Sequence, residues 1–418
     1  MAKFIVFCAD GTWNGPDCED ADNDNLPDIT NVLKLYRRLE CDSPVVSRDS
    51  EQECALTSGG STRMIAKYLH GVGHSDNRLV QALGGAFGAG IIGRIVRGYT
   101  FISRNYEEGD RIILVGFSRG AYTVRALAGM ICAMGLLDAG RMDLTDQDAA
   151  YHAGTATWSD YRKSKLAVAG LFEKITGFLS GFSEYLGTHP EEDAPEARLD
   201  AVLQPFQAYL AKRFPPIYRR SPPPIEAVAV WDTVGALGIP FYDRNRRVDV
   251  FRFADTDLSG CVKHGYHAVS VDEARTDFTP TLWTPNGRVE QALFPGAHSD
   301  VGGGYPASNK ESGLSDHALA WMIGKLQGLD LTFTPQWRQG LAPDAEGCAH
   351  EPWRHCAMLT ASRQFPAAPE LKVHRSLINR LEQIVKADPD ATPAPYTPGN
   401  LAGYAAGGHA EPGVTVEP

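Results

Sequence analysis

One stretch constrains the fold more than any other: an apolar run, a glycine–serine–glycine turn and a helical pattern that follow one another without a linker. Residues 112–115 are apolar and mostly β-branched, as in a buried parallel strand. Gly116, Ser118 and Gly120 follow as G-x-S-x-G, and apolar residues then recur at helical spacing over residues 121–131. This order predicts a nucleophile elbow, in which the serine sits on a sharp turn with its hydroxyl exposed above the sheet.

The two glycines and the helix have separate physical roles in such an elbow. A Cβ at Gly116 or Gly120 would collide with the neighbouring strand or helix, and the turn itself requires a strained backbone. Because the helix begins directly after Ser118, its N-terminal amides face an oxygen anion formed in acyl transfer. The backbone N–H of Arg119 is therefore the first predicted donor of an oxyanion hole.

Two further strand-like runs end in residues that could assist a serine. Residues 225–231 lead to Asp232, and residues 289–294, predicted as the last strand, lead to His298. The chain order Ser–Asp–His is that of α/β-hydrolases. In this arrangement His298 takes the proton of Ser118, Asp232 holds the imidazole tautomer, and no cofactor is needed.

The first strand predicts the second oxyanion donor. Residues 3–8 read as a strand that ends in Asp10, Gly11 and Thr12. In α/β-hydrolases the second oxyanion amide comes from a loop after an early strand, which makes Gly11 or Thr12 the candidate. Asp10 is expected to support this loop. The alternative interpretation is a plain strand-to-loop turn.

Other carboxylates and imidazoles compete for the acid and base roles. The second choices are Asp255 and Asp257 as the acid, and His264 and His267 as the base. Asp300 is expected either to bind His298 or to anchor the glycine-rich loop at residues 302–304. A different class of enzyme, a metal-dependent phosphoester hydrolase, would use Asp10, Asp300 and His298.

Composition excludes several classes of function. The net charge is −11 and no basic stripe stands out, so nucleic-acid binding is not expected. No apolar run reaches the length of a membrane span, and the absence of a signal-peptide pattern predicts a protein that is cytoplasmic as synthesised. Cys8 and Cys132 lie in apolar elements and are predicted to be buried thiols, whereas a disulfide among Cys18, Cys41 and Cys54 stays open.

The strand and helix rhythm predicts an α/β-hydrolase domain that is interrupted once. The predicted parts are a catalytic domain of residues 1–137 and 225–385, a helical cap or lid over residues 138–224, and a Pro/Gly/Ala-rich, poorly ordered tail at residues 386–418. Residues 163–187 form an amphipathic pattern that predicts either a lid touching a lipid surface or a cap packed on the body. Residues 41–62 are predicted as loop.

Several blocks of the chain resemble a bacterial and fungal α/β-hydrolase family that includes the type VI secretion phospholipase effectors of the first lipase class. The blocks are Phe7–Asn14, Gly116–Tyr122, Val230–Gly235, His267–Arg275, Pro295–Tyr305 and Leu314–Trp321. They occur in order over most of residues 3–330. The resemblance implies a triad of Ser118, Asp232 and His298, the same residues that the strand ends indicate.

The resemblance also implies a function. It favours a serine ester hydrolase that cleaves phospholipids as a phospholipase A. The alternative is a carboxylesterase for small soluble or polymeric esters, with a rigid cap. As partners it implies a component of the secretion apparatus or an immunity protein, and as a destination the periplasm of a target cell, reached by a signal-independent route.

Overall fold

A nine-stranded sheet forms the centre of the fold. The computed structural model of the chain describes residues 2–11, 29–42, 51–71, 85–169, 216–234, 256–354, 358–365, 371–406, 408–411 and 414–418. The sheet strands are β1 (Phe4–Ala9), β2 (Glu51–Ser58), β3 (Ser61–Leu69), β4 (Arg111–Phe117), β5 (Ile225–Trp231), β6 (Val262–Ser270), β7 (Val289–Phe294), β8 (Leu371–His374) and β9 (Val416–Glu417). Their order is β9-β8-β7-β6-β5-β4-β1-β3-β2, and all neighbours are parallel except the β2–β3 hairpin.

Helices cover both faces of this sheet. They are α1 (Asn31–Arg38), α2 (Gly85–Asn105), α3 (Arg119–Met134), α4 (Gln147–Ala169), α5 (His298–Gly302), α6 (Gly313–Gln327) and α7 (Arg375–Arg380). A mostly parallel sheet between two helical layers confirms the predicted α/β-hydrolase class. Among the described helices, none combines the length and apolarity that crossing a bilayer would need.

The central strands are buried on both sides, and their side chains alternate between two apolar clusters. In β1, Ile5 and Phe7 pack in the cluster shared with α2, α3 and α4, whereas Val6 and Cys8 pack in the cluster shared with α1 and α6. The period of two residues follows from the pleat of a strand. Because both faces of β1, β4 and β5 are buried, almost every residue of these strands is apolar.

The prediction of loop over residues 41–62 is wrong for its second half. β2 and β3 form a hairpin at the edge of the sheet, with β2 outermost. β2 carries charged residues that pair across the strands: Lys67 Nζ lies 2.5 Å from Glu51 and 3.0 Å from Glu53. Charged side chains are typical of edge strands and hide the apolar alternation that marks a buried strand.

The C-terminal tail is ordered where it is described, which corrects the prediction for residues 386–418. β9 pairs with β8 in the central sheet, so residues 289–294 are not the last strand either. Glu417 is tied down by Lys325 and Lys372, at 3.0 and 2.5 Å. A two-residue strand has no period that a sequence could display, so its place depends on these contacts across the sheet.

The first part of the predicted cap is a body helix. Trp158 and Tyr161 of α4 are buried in the same apolar cluster as α2, α3 and the sheet. Residues 170–215 lie outside the described residues, and so does most of the amphipathic segment 163–187. The lid and the three-part division of the chain therefore stay predictions.

Four of the cysteines that the structure describes form two disulfides. Cys41 is bonded to Cys54, one of the pairings that the sequence left open, and Cys132 at the end of α3 is bonded to Cys261 before β6. The prediction of a buried thiol is confirmed for Cys8 and wrong for Cys132. Nothing local to Cys132 indicates a partner 129 residues away.

Candidate active site

Ser118 occupies the sharp turn between β4 and α3. Its φ is 58° and ψ −124°, in the left-handed region that side chains seldom adopt. A Cβ at Gly116 would lie 2.6 Å from the carbonyl oxygen of Gly120, and one at Gly120 would collide with the carbonyl oxygens of Ala9 and Asp10. Gly116 is therefore required for β4 to lie against the start of α3, and Gly120 is required for that start to lie against the end of β1.

The predicted acid and base are in contact. His298 is the first residue of α5, after β7, and its Nδ1 lies 2.5 Å from Oδ2 of Asp232, which follows β5. Both side chains are buried. The carboxylate therefore fixes the tautomer with the proton on Nδ1 and leaves Nε2 as the basic nitrogen.

Two aromatic rings hold the imidazole beside the elbow. Phe117, the neighbour of Ser118, has its ring centre 4.6 Å from that of His298, and Phe278 packs edge-on at 4.9 Å. His298 Nε2 is buried and accepts no hydrogen bond from the residues that the structure describes. Catalytic hydrogen bonds are often long in ligand-free enzymes and tighten when substrate binds.

The electrostatics suit a general base. Burial lowers the pKa of His298 below its usual value, while Asp232 and Glu273 act in the opposite direction, so the imidazole is neutral and able to take a proton at neutral pH. Burial alone would raise the pKa of Asp232, but Arg363 and His298 outweigh it and hold that pKa well below the usual range. The Asp232 carboxylate therefore stays ionised at neutral pH.

The structure describes two of the three proposed oxyanion donors. The Arg119 amide follows Ser118 at the N-terminus of α3, where the elbow requires it. The Gly11 N–H is donated to Oδ1 of Asp10 at 2.7 Å, so in this conformation it is already used. Thr12, the other candidate, lies outside the described residues.

Asp10, which the sequence predicts to support the loop after β1, lies beside the elbow, and that loop continues outside the described residues. Its carboxylate accepts hydrogen bonds from Tyr68 Oη at 2.6 Å and from Thr30 Oγ1 at 2.7 Å. Thr30 also caps α1 by accepting from the Leu33 amide. Burial raises the pKa of Asp10 to about 6, although these hydrogen bonds act to lower it. The carboxylate thus joins β1, β3 and α1 at the carboxyl edge of the sheet.

Comparison with known proteins gives this geometry a family. The model of the T6SS phospholipase effector Tle1-like catalytic domain matches residues 3–325. The chain belongs to this family. The resemblance inferred from the sequence blocks is therefore confirmed, and the family description names phospholipase effectors of type VI secretion.

Individual relatives are more distant. The uncharacterized protein YEL023C of Saccharomyces cerevisiae (strain ATCC 204508 / S288c) is 28% identical over 297 residues, 68% of this chain and 33% of that protein. The chain thus spans about a third of the length of this curated relative. A solved structure of an uncharacterized Pseudomonas aeruginosa protein is 18% identical with a TM-score of 0.39, covering 81% of this chain and 47% of that one. The structure of the Tle1 effector bound to the VgrG spike is 17% identical with a TM-score of 0.37, covering 74% and 52%.

Arg363 is the main contact of the Asp232–His298 pair that the sequence analysis missed. Its guanidinium donates to both oxygens of Asp232, from Nη1 to Oδ1 at 2.7 Å and from Nη2 to Oδ2 at 2.9 Å. It is 6% exposed and lies in a segment without helix or strand. An isolated arginine in such a segment carries no motif, so only the fold could reveal it.

Glu273 is a second residue at this site to which the sequence analysis assigned no role. Its Oε2 accepts the backbone N–H of His298 at 3.2 Å, and Arg275 pairs with the same carboxylate at 2.7 Å. The carboxylate therefore anchors the N-terminus of α5, which carries the base.

The alternative bases and acids have other partners. The Nε2 of His267 accepts the Thr233 N–H at 3.1 Å, and burial lowers the pKa of this imidazole to about 3. His267 thus braces the residue after the acid. The His264 ring stacks on Tyr266. Asp255 lies outside the described residues, and the carboxylate that holds His298 Nδ1 belongs to Asp232 and not to Asp257.

Asp300 anchors the loop around the histidine rather than the imidazole itself. Its Oδ2 accepts the amides of Ala297 at 2.8 Å and His350 at 3.0 Å, and its Oδ1 binds His350 Nδ1 at 2.6 Å. Asp10, Asp300 and His298 therefore have separate partners. Within the described ranges, no three His, Cys, Asp or Glu side chains are grouped to hold a metal ion.

Proposed function

We propose that this Tle1-like domain is a serine hydrolase that cleaves the carboxylic esters of phospholipids as a phospholipase A. The observation that carries the proposal is a buried His298–Asp232 pair, packed through Phe117 against a serine at positive φ on an elbow. The match to a phospholipase effector family supports the substrate class.

The chemistry follows from the roles of the three side chains. Ser118 Oγ attacks the acyl carbon while His298 Nε2 takes its proton, and the resulting oxyanion lies at the N-terminus of α3. The C–O bond to the lysolipid then breaks, and the imidazolium gives its proton to the leaving alcohol. Water attacks the acyl-enzyme with His298 again as base and releases the fatty acid. Asp232 stabilises the imidazolium in both halves.

Export of the domain is part of the proposal. The Tle1 effector of the related solved structure is bound to the VgrG spike of the type 6 secretion system. We propose that this domain likewise has a component of a secretion apparatus as partner and acts in the periplasm of a target cell, where an immunity protein would block it. The pairs Cys41–Cys54 and Cys132–Cys261 support this destination, because disulfides persist in oxidising compartments such as the periplasm.

The test compares two substrates in parallel. Wild type should hydrolyse a p-nitrophenyl ester and phosphatidylethanolamine in mixed micelles, releasing fatty acid and lysophospholipid identified by mass spectrometry. Ser118→Ala should lose both activities, and Asp232→Asn should lose on the order of 10⁴-fold in kcat because the imidazole tautomer is no longer fixed. Ser61→Ala, at an exposed hairpin turn, is the matched control.

Each outcome separates the candidate functions. Cleavage of the soluble ester alone would refute the phospholipase and favour the carboxylesterase. Activity retained by Ser118→Ala would refute the serine mechanism. Loss of activity in chelator, with Ser118→Ala still active, would point to the metal-dependent class.

A further inference from the structure

Arg363 contacts both the acid of the triad and the aromatic wall of the base. Besides its two bonds to Asp232, Nη2 donates to the carbonyl oxygen of Phe278 at 2.5 Å, and Phe278 packs edge-on against His298. Nη1 also donates to the carbonyl oxygen and hydroxyl of Ser270, at 2.6 and 2.9 Å. One buried guanidinium thus joins the ends of β5 and β6 to the residues that touch the imidazole.

We propose that Arg363 is a positioning residue of the active site: by fixing both oxygens of Asp232 and the carbonyl of Phe278, it sets the place and the charge balance of His298. This inference rests on the proposed function for its meaning in catalysis. Arg363 lies beyond residues 3–325, so the family match does not include it.

The geometry suits an arginine and not a lysine. A planar guanidinium can bridge two carboxylate oxygens with parallel N–H bonds, whereas a lysine ammonium is a point charge that cannot hold the plane of the carboxylate. The carboxylate plane matters here because Oδ2 of Asp232 is the atom that binds His298 Nδ1. A rotation of that carboxylate would turn the imidazole away from Ser118.

The charge of Arg363 acts on the base through the acid. Among the described residues, the charged groups that act on His298 are Asp232 from the end of β5, Glu273 from the segment after β6, and Arg363. Phe117 and Phe278 contribute uncharged rings. Arg363 lowers the pKa of His298, and the two carboxylates raise it. Removing the guanidinium would leave Asp232 uncompensated beside the imidazole, so the pKa of His298 should rise.

The two effects predict different behaviour for two substitutions. In Arg363→Met, we expect kcat/KM to fall about 100-fold at neutral pH. The acid limb of its pH profile should move upward by about one unit, because His298 keeps its proton to higher pH. In Arg363→Lys, we expect the limb to stay near that of wild type, since the charge remains. Its kcat should still fall about tenfold, because the fork geometry is lost. Arg104→Met, which removes a cation paired with Glu53 of the edge strand β2, is the control and should change neither quantity.

A titration without substrate keeps this inference separate from the proposed function. Imidazole NMR of histidine-labelled protein, assigned with His298→Gln, gives the pKa of His298 directly. We expect it to be higher in Arg363→Met than in wild type; an unchanged value overturns the inference, whether or not any ester is cleaved. Circular dichroism checks that each variant is folded. If Arg363→Met does not fold, Arg363→Lys decides: wild-type kcat in that variant overturns the inference, and lowered kcat with an unmoved titration supports it.

Discussion

Replacing Gly302 with alanine should displace the base without touching any member of the triad. Gly302 is the last residue of α5, the short helix that begins with His298. A Cβ at this position would fall on the Cδ2, Cε2 and Cζ atoms of the Phe117 ring, far inside contact distance. Phe117 is 1% exposed and directly precedes Ser118, so its ring has no space into which it could retreat.

The expected loss of activity depends on whether Phe117 or α5 moves to relieve the clash. Since Phe117 is held in the core, α5 must shift away from it by on the order of 1 Å, and a misplacement of that size at a catalytic group costs about 100-fold in rate. The accompanying strain should lower the free energy of unfolding by about 1–3 kcal/mol, the usual cost of overpacking. Gly302→Ala should therefore remain folded and lose most of its activity.

A glycine on a neighbouring helix provides the matched control. Gly324 lies in α6, and a Cβ there would have no atom within 4 Å. Gly324→Ala should keep full activity and gain about 0.5–1 kcal/mol, because alanine is favoured over glycine inside a helix. The assay is kcat/KM on mixed micelles with a urea unfolding curve for each variant. Activity of Gly302→Ala within a few-fold of wild type would refute the claim that this contact sets the position of His298.

Two further predictions concern stability. Cys132→Ser with Cys261→Ser removes a link between residues 129 apart, which the chain-entropy model values at roughly 5 kcal/mol. Urea unfolding without reductant should show a loss approaching that size, and equal stability would mean that the pair does not form. Asp10 has a folded pKa of about 6, above the unfolded value of about 3.9. Its contribution to stability is therefore present below about pH 4 and lost as the pH rises through about 6. In Asp10→Asn, the melting temperature should depend less on pH between those two values than it does in wild type. The same pH dependence in both proteins would contradict a raised pKa for Asp10.

The parts of the site that sequence analysis could predict are local. Ser118 lies where a strand, a glycine turn and a helix follow one another, and each of those signals is complete within about ten residues. Asp232 directly follows a buried apolar strand and His298 comes four residues after another, and parallel strands deliver their carboxyl ends to one edge. No long-range information was needed to predict that Asp232 and His298 meet.

The parts that were missed depend on contacts between distant segments. Arg363 meets Asp232 across 131 positions of sequence, and nothing in its own segment indicates burial. β2 was missed because its glutamates pair with Lys67 at the exposed edge of the sheet and do not pack in an apolar core. Cys132 read as a buried thiol because its helix is apolar, while its partner stands before another strand. In each case the deciding interaction joins residues that are too far apart in the sequence for a local periodic pattern to reveal it.

The physical boundary of the catalytic unit lies beyond the boundary of the family match. Ser118, Asp232 and His298 all fall within residues 3–325. Two of the groups that support them do not, because Arg363 holds Asp232 and His350 holds Asp300, whose carboxylate binds the amide just before His298. β8 also covers the edge of β7, the strand that delivers the base. A chain ending at residue 325 would retain Ser118, Asp232 and His298 but lose Arg363 and His350, so we expect it to hold the Asp232–His298 pair less firmly than the longer chain does.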